Sequence, residues 1–313
     1  MGSTNTFMLE MLVLYGIALL GYILKKIRVF NQHADEVFTT LVLYITLPAL
    51  IIFSLNISFS SHLLSEFIWL IWMSIYILTI SCILAYWLRK KSTLIHEQKP
   101  VYEGLIIFGN QGFIGFAVSF ILLGEQGIIY VTIFNLFYLV LIWTYGIYLF
   151  SRSKAMISWK NIFLNPGIVS TVLGMLLFFL PITLPNVIAT GLESIGKMTI
   201  PLSMMMIGML VANIKWNDFK TIGKNKYLWI SAFFRLLVIP CLFIPFLLLP
   251  IPFPVFLIAV LIAGMPAAPT IALYAQKYGG DSAFGAVGSL LTTILCLVTV
   301  PLLYALLKLI AFP

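Results

Sequence analysis

The chain of 313 residues is 62% hydrophobic and only 9% charged, with a formal net charge of +8. A soluble domain carries about a quarter of its residues as charged side chains, so this composition excludes a soluble globular protein and indicates an integral membrane protein. The basic excess is scattered over short connections, which excludes a nucleic-acid-binding patch, and no nucleotide-binding motif is present.

About 20 apolar residues cross the hydrocarbon core of a bilayer. By that ruler ten spans follow one another, at 7–24, 37–55, 67–88, 101–123, 127–150, 167–184, 187–214, 227–249, 252–276 and 283–310. The first reads as a retained span, because residues 1–6 carry no basic segment and no small-residue cleavage site follows it. Trp and Tyr cluster near the ends of the apolar runs, as an interfacial belt requires. Cys82, Cys241 and Cys296 each fall inside an apolar run, where they read as small packing residues and not as a disulfide or metal set.

The connections set the orientation. Lys25, Lys26 and Arg28 lie after span 1; Arg89, Lys90, Lys91 and Lys99 after span 3; Arg152, Lys154 and Lys160 after span 5. Lys215, Lys220, Lys224 and Lys226 follow span 7, and Lys277 follows span 9. Alternate connections hold no Lys or Arg, so 15 of the 18 basic residues share one side, which the positive-inside rule makes cytoplasmic. Both termini are then external, on a multi-pass protein of the cell membrane.

A shift of 153 residues lays Gly21 on Gly174 and Thr46-Leu47-Pro48 on Thr199-Ile200-Pro201. A shift of 155 lays Gly109 on Gly264 and Gly124 on Gly279. Five spans are thus repeated, 1–160 and 161–313, and an odd number inverts the second copy in the membrane. The predicted fold is all-α, ten transmembrane helices in two inverted five-helix repeats, an arrangement of secondary transporters with discontinuous helices at the midplane.

The candidate site is Phe108-Gly109-Asn110-Gln111-Gly112-Phe113-Ile114-Gly115-Phe116 in span 4. Its glycines weaken a helix, and its carboxamides gain nothing from lipid, so the stretch is expected to break where protein or a wet cavity surrounds it. Under the repeat it falls on Met265, Pro266, Pro269 and Thr270 in span 9, where two prolines remove two backbone donors. Paired breaks leave unpaired N–H groups at helix N-termini, which attract anions. Asn110 and Gln111 can donate and accept without permanent charge, with glycine providing the hinge at Gly109, Gly112 and Gly115. Asn135 is a second candidate ligand or an interhelical hydrogen-bonding residue. Tyr274 follows the span 9 break and either faces the same cavity or packs between helices.

Arg235 lies inside span 8 and either attracts an anion or snorkels to the cytoplasmic surface. Glu193 and Lys197 form a potential i,i+4 ion pair in span 7, with a coupling proton on Glu193 as the functional alternative. Pro48 and Pro201 read as paired kinks whose freed carbonyls bond Thr46 and Thr199. Glu103, at the start of span 4, is expected to be solvated.

The residues Gly109-Asn110-Gln111-Gly112-Phe113-Ile114-Gly115, Thr199-Ile200-Pro201-Leu202 with Gly208, Met265-Pro266, Ala275-Gln276-Lys277-Tyr278-Gly279-Gly280-Asp281 and the run from Thr292 to Pro301 resemble the auxin efflux carrier family over nearly the whole chain. That family holds plant PIN carriers and bacterial malate and malonate permease-like proteins. The resemblance implies scaffold and transport subdomains drawn from both repeats, crossing of helices 4 and 9 at the substrate, and a homodimer. It also implies elevator-like movement of an organic anion. Two features depart from the pattern: Ala117 stands where bacterial members often carry proline, and the 151–165 connection is short where plant members have a long regulatory loop.

The expected function is therefore secondary transport of a small organic anion, with a dicarboxylate such as malate or malonate ahead of an auxin-like aromatic monocarboxylate. Coupling to a proton or sodium gradient is open, and no cofactor or metal is expected. An intramembrane enzyme fits poorly, because His33, His62 and His96 all lie in connections and no nucleophile–base spacing occurs. A membrane sensor fits poorly for want of an appended signalling domain.

Overall fold

A computed structural model describes residues 4–31, 33–57, 60–150, 160, 163–180, 184–213 and 220–311. Arg152, Lys154 and Lys215, which contribute to the charge alternation, lie outside the described residues. The described residues form helices and no strand: α1 Thr4–Lys26, α2 Ala34–Ser54, α3 Ser61–Lys91, α4 Gln98–Ile107, α5 Gln111–Leu123 and α6 Glu125–Phe150. They continue with α7 Pro166–Phe179, α8 Asn186–Asn213, α9 Lys226–Leu248, α10 Phe253–Ala263, α11 Thr270–Tyr278 and α12 Ser282–Ala311.

Seven of these, α1, α2, α3, α6, α8, α9 and α12, are long and apolar enough to cross a membrane, and α5, α7 and α10 are shorter apolar helices. Helix is the natural solution for such sequences, because it satisfies backbone N–H and C=O groups within one segment where lipid offers no partners. Large apolar side chains such as Leu9, Leu12, Trp72, Ile83, Val298 and Leu309 are exposed, which suits a hydrocarbon solvent. Cys296 is buried as expected, Cys82 is half-buried, and Cys241 is exposed, contrary to its reading as a buried packing residue.

The chain divides into two compact units: residues Met1–Ile68, Gly112–Leu136 and Lys160–Asn213, and residues Trp69–Gln111, Phe137–Trp159 and Ile214–Pro313. In the first unit α1 and α8 approach backbone to backbone. A Cβ at Gly21 would overlap the Met205 carbonyl, and one at Gly208 the Ala18 carbonyl. Small residues permit such contacts where no hydrophobic effect drives helices together. Gly196 lies likewise against the Leu50 backbone and Gly174 against Leu55, which seats α8 and α7 on α2. Lys25 pairs with Asp35 at 3.0 Å, and Asn213 Nδ2 donates to the same carboxylate, tying the ends of α1 and α8 to the start of α2.

Proline acts differently from its sequence reading. α2 widens into a π-helical turn over Val42–Thr46 just before Pro48, and α9 does so over Phe234–Val238 just before Pro240. A proline ring clashes with the carbonyl four residues earlier, here Tyr44 and Leu236, and a π turn displaces that carbonyl. Pro201 instead occupies the first turn of the segment Thr199–Asn213, after a turn at Met198. There its missing N–H costs nothing. The expected bonds from Thr46 and Thr199 to freed carbonyls are not made, since both hydroxyls are buried without a partner.

In the second unit α12 packs closely on α4 and α11. A Cβ at Gly288 would meet Leu105, and one at Gly285 would meet the Ala272 backbone. Tyr76 of α3 donates its hydroxyl to the Leu242 carbonyl and stacks with Phe243 and Phe246.

Candidate functional site

Helix α4 stops at Ile107, and Phe108 turns extended with φ −98° and ψ 108°. Helix α10 stops at Ala263, and α11 resumes at Thr270 with Pro269 as its N-cap. The two non-helical segments pair with each other. Gly109 and Ala267 form an isolated antiparallel bridge, in which Asn110 N–H donates to the Pro266 carbonyl at 2.6 Å and Ala268 N–H donates to the Phe108 carbonyl at 2.9 Å. Backbone released by one broken helix thus finds its partner in the other, as burial demands.

Side chains satisfy much of the remainder. Tyr138 of α6 donates its hydroxyl to the Gly109 carbonyl at 2.6 Å. Thr292 Oγ1 of α12 accepts from Ala267 N–H at 3.0 Å, and Ser289 donates to the Ala268 carbonyl at 3.2 Å. Arg235, in the π turn of α9, donates Nε to the Met265 carbonyl at 2.8 Å. Its Nη1 reaches the Ile107 carbonyl at 3.0 Å and the Ile106 carbonyl at 3.3 Å.

Arg235 is 2% exposed, so it does not snorkel. The guanidinium turns inward because carbonyls at the ends of two interrupted helices offer it several acceptors. Its Nη2 lies against Gly109 and has no hydrogen-bond partner.

The predicted residues separate by unit. Gly109, Asn110, Gln111, Arg235, Met265, Pro266, Pro269 and Thr270 belong to the second unit. Among them Gly109, Asn110, Arg235, Met265 and Pro266 are brought together by the bonds just described. Asn110 and Gln111 are buried, and Asn110 Nδ2 and Gln111 Oε1 have no partner. Gly112, Gly115, Asn135, Glu193 and Lys197 belong to the first unit, where Asn135 is buried with Oδ1 unpartnered. Glu193 and Lys197 form their i,i+4 ion pair on an open surface, with side chains 34% and 55% exposed. Tyr274 is packed among Trp143, Phe150 and Tyr278, its hydroxyl buried without a partner.

The glycines of the break differ in what surrounds them. The described glycines with positive φ are Gly124 and Gly279, not those of the break, and Gly115 has helical angles of −60° and −46°. Gly109 is required sterically, because a Cβ there would overlap the Arg235 guanidinium. At Gly112 a Cβ would meet nothing within 4 Å, so this position opens onto free space.

Glu103 also differs from expectation. Its side chain is 0% exposed, pairs with Arg89 Nη1 at 2.8 Å and accepts a hydrogen bond from the Tyr145 hydroxyl. An α3 basic end reaching over α4 supplies the charge that lets the carboxylate leave water. Sequence reasoning passed over Tyr138, Ser289 and Thr292 as partners of the break. A tyrosine deep in a span needs a partner for its hydroxyl, and hydroxyls three apart in an apolar helix share a face; those were the available signals.

An uncharacterized transporter of Methanocaldococcus jannaschii is 26% identical over 240 residues, covering 73% of this chain and 75% of that protein. The family model described as membrane transport protein matches residues 6–304. With nearly every residue inside that match, the chain belongs to the auxin efflux carrier family of membrane transport proteins.

Proposed function

We propose that this protein is a secondary transporter for a small organic anion, bound where the α4–α5 and α10–α11 breaks pair. The observation that carries the reading is the set of buried polar atoms left over once the backbone is paired: Asn110 Nδ2, Gln111 Oε1 and Arg235 Nη2. Buried polar groups are normally hydrogen-bonded, and unpaired donors and acceptors on residues of the break are available to a ligand. A carboxylate suits the two donors, and a hydroxyl or second carboxyl group suits the carboxamides. The first N–H groups of α11 add the positive end of a helix dipole.

A dicarboxylate of the size of malate or malonate is favoured over an aromatic monocarboxylate, because the unfilled atoms of the break are polar, two donors and one acceptor. In this reading the unit that holds Asn110, Pro266 and Arg235 carries the substrate, and the other serves as the fixed scaffold of an elevator. The ten-span inverted repeat, external termini, a place in the cell membrane, a homodimer and coupling to a proton or sodium gradient complete the proposal.

Purified protein in liposomes is expected to accumulate labelled malate or malonate above empty vesicles when a proton or sodium gradient is imposed. Indole acetate serves as the second arm. Uptake of indole acetate alone would replace the dicarboxylate reading, and uptake of none of the three would sink the anion site.

A further inference from the structure

We propose that Arg235 is a positioning residue which fastens the two helix breaks to each other through their carbonyl oxygens. The inference goes deeper into the site proposed above and rests on that reading only for what is being positioned. The geometry stands apart from any ligand.

The guanidinium has five N–H donors in a rigid planar fork. The fork serves the backbone of both breaks at once: Nε bonds Met265 beyond the end of α10, while Nη1, on the other side of the guanidinium, bonds Ile106 and Ile107 at the end of α4. These are carbonyls that a helix C-terminus leaves without an intrahelical partner.

Charge explains why an arginine is tolerated there. An unpaired buried cation is costly, and no carboxylate is paired with Arg235 among the described residues. Each helix C-terminus carries roughly half a negative elementary charge, so the ends of α4 and α10 together offset about one positive charge. The cation and the two helix ends therefore need one another. Remove the guanidinium, and two negative helix ends face each other across the Gly109–Ala267 bridge.

Gly109 completes the device. The guanidinium occupies the volume that any Cβ at this position would take. A larger residue at 109 must displace the arginine while leaving its charge and the α9 backbone in place. Gly109→Ala is therefore an independent way to unfasten the breaks.

The test is hydrogen exchange on the full chain in detergent, without ligand, followed through peptides covering residues 104–112 and 263–272. Arg235→Met is expected to raise exchange in both segments by roughly tenfold or more, as local opening becomes easier, with α1 and α8 unchanged. Gly109→Ala is expected to reproduce the pattern, and Arg235→Lys to recover part of the protection, since one ammonium cannot span three carbonyls. A residue that merely fills space would loosen its surroundings without this pairing of distant segments or rescue by lysine. Wild-type protection of either segment in a folded Arg235→Met protein would overturn the inference. If that variant does not fold, wild-type protection in Gly109→Ala overturns it instead. Because no ligand is used, failure here is separate from failure of malate or malonate transport.

Discussion

The amide of Asn110 donates to the carbonyl of Pro266 at 2.6 Å, joining two residues 156 positions apart, each at the point where its own helix has stopped. The bond holds the Asn110 backbone still while its side-chain Nδ2 remains unpartnered. One residue thus divides its work: main chain for architecture, carboxamide free.

Asn110→Ala tests that division. The backbone bond survives the substitution, so the unfolding midpoint in detergent is expected to stay close to wild type. Binding of malate or malonate should weaken by about 1.5–3 kcal/mol, the range for a hydrogen bond to a charged group. Calorimetric titration of the two proteins checks it, and equal affinities would remove Asn110 from the site.

Thr292→Val replaces a hydroxyl by a methyl group of similar size and leaves Ala267 N–H buried without its acceptor. Such an orphaned donor costs about 1–3 kcal/mol. The expected result is a lower unfolding midpoint, with Ser289→Ala smaller because the Ala268 carbonyl keeps the Ile271 N–H as a second partner. Comparison of the two midpoints decides the matter.

Arg89 and Glu103 are expected to respond unequally. Arg89→Met strands a carboxylate whose side chain is 0% exposed, a loss of about 3–5 kcal/mol typical of a broken buried pair. Glu103→Gln leaves Arg89, 29% exposed, free to turn toward water, and the amide still accepts from Tyr145. Denaturation of both variants should therefore place Arg89→Met well below Glu103→Gln. The opposite order would contradict the buried-carboxylate assignment.

Glycine substitutions on α1 provide an internal contrast. Gly21→Ala places a methyl group onto the Met205 carbonyl, and overpacking of this kind costs about 1–3 kcal/mol. Gly16→Ala meets nothing within 4 Å, so higher helix propensity should stabilise by up to about 1 kcal/mol. The two midpoints are expected to move in opposite directions.

The membrane class was legible in the sequence because it is a bulk property: 62% hydrophobic against 9% charged leaves no soluble alternative. Helical secondary structure follows from the length of the apolar runs, since lipid offers a backbone no outside partner and runs of about 20 residues fit a helix where a barrel strand needs about 10. The special character of residues 108–116 and 264–270 was also legible, because Gly, Pro, Asn and Gln are conspicuous against Leu, Ile and Phe. The mechanism of the break was not. Gly109 read as a hinge, and what the structure adds is the room it provides for Arg235.

The sequence by itself therefore determined the solvent, the secondary structure and the segments where helices fail, all of which depend on local composition. The tertiary structure decided what each failure is bonded to. Arg235 could face water or carbonyls, and Glu103 could be solvated or paired; the choice turned on residues 30 or 129 positions away for Arg235 and 14 or 42 positions away for Glu103. In a low-dielectric interior an unpaired charge or backbone group is too costly to leave alone, so partners that only folding brings near fix the conformation of both.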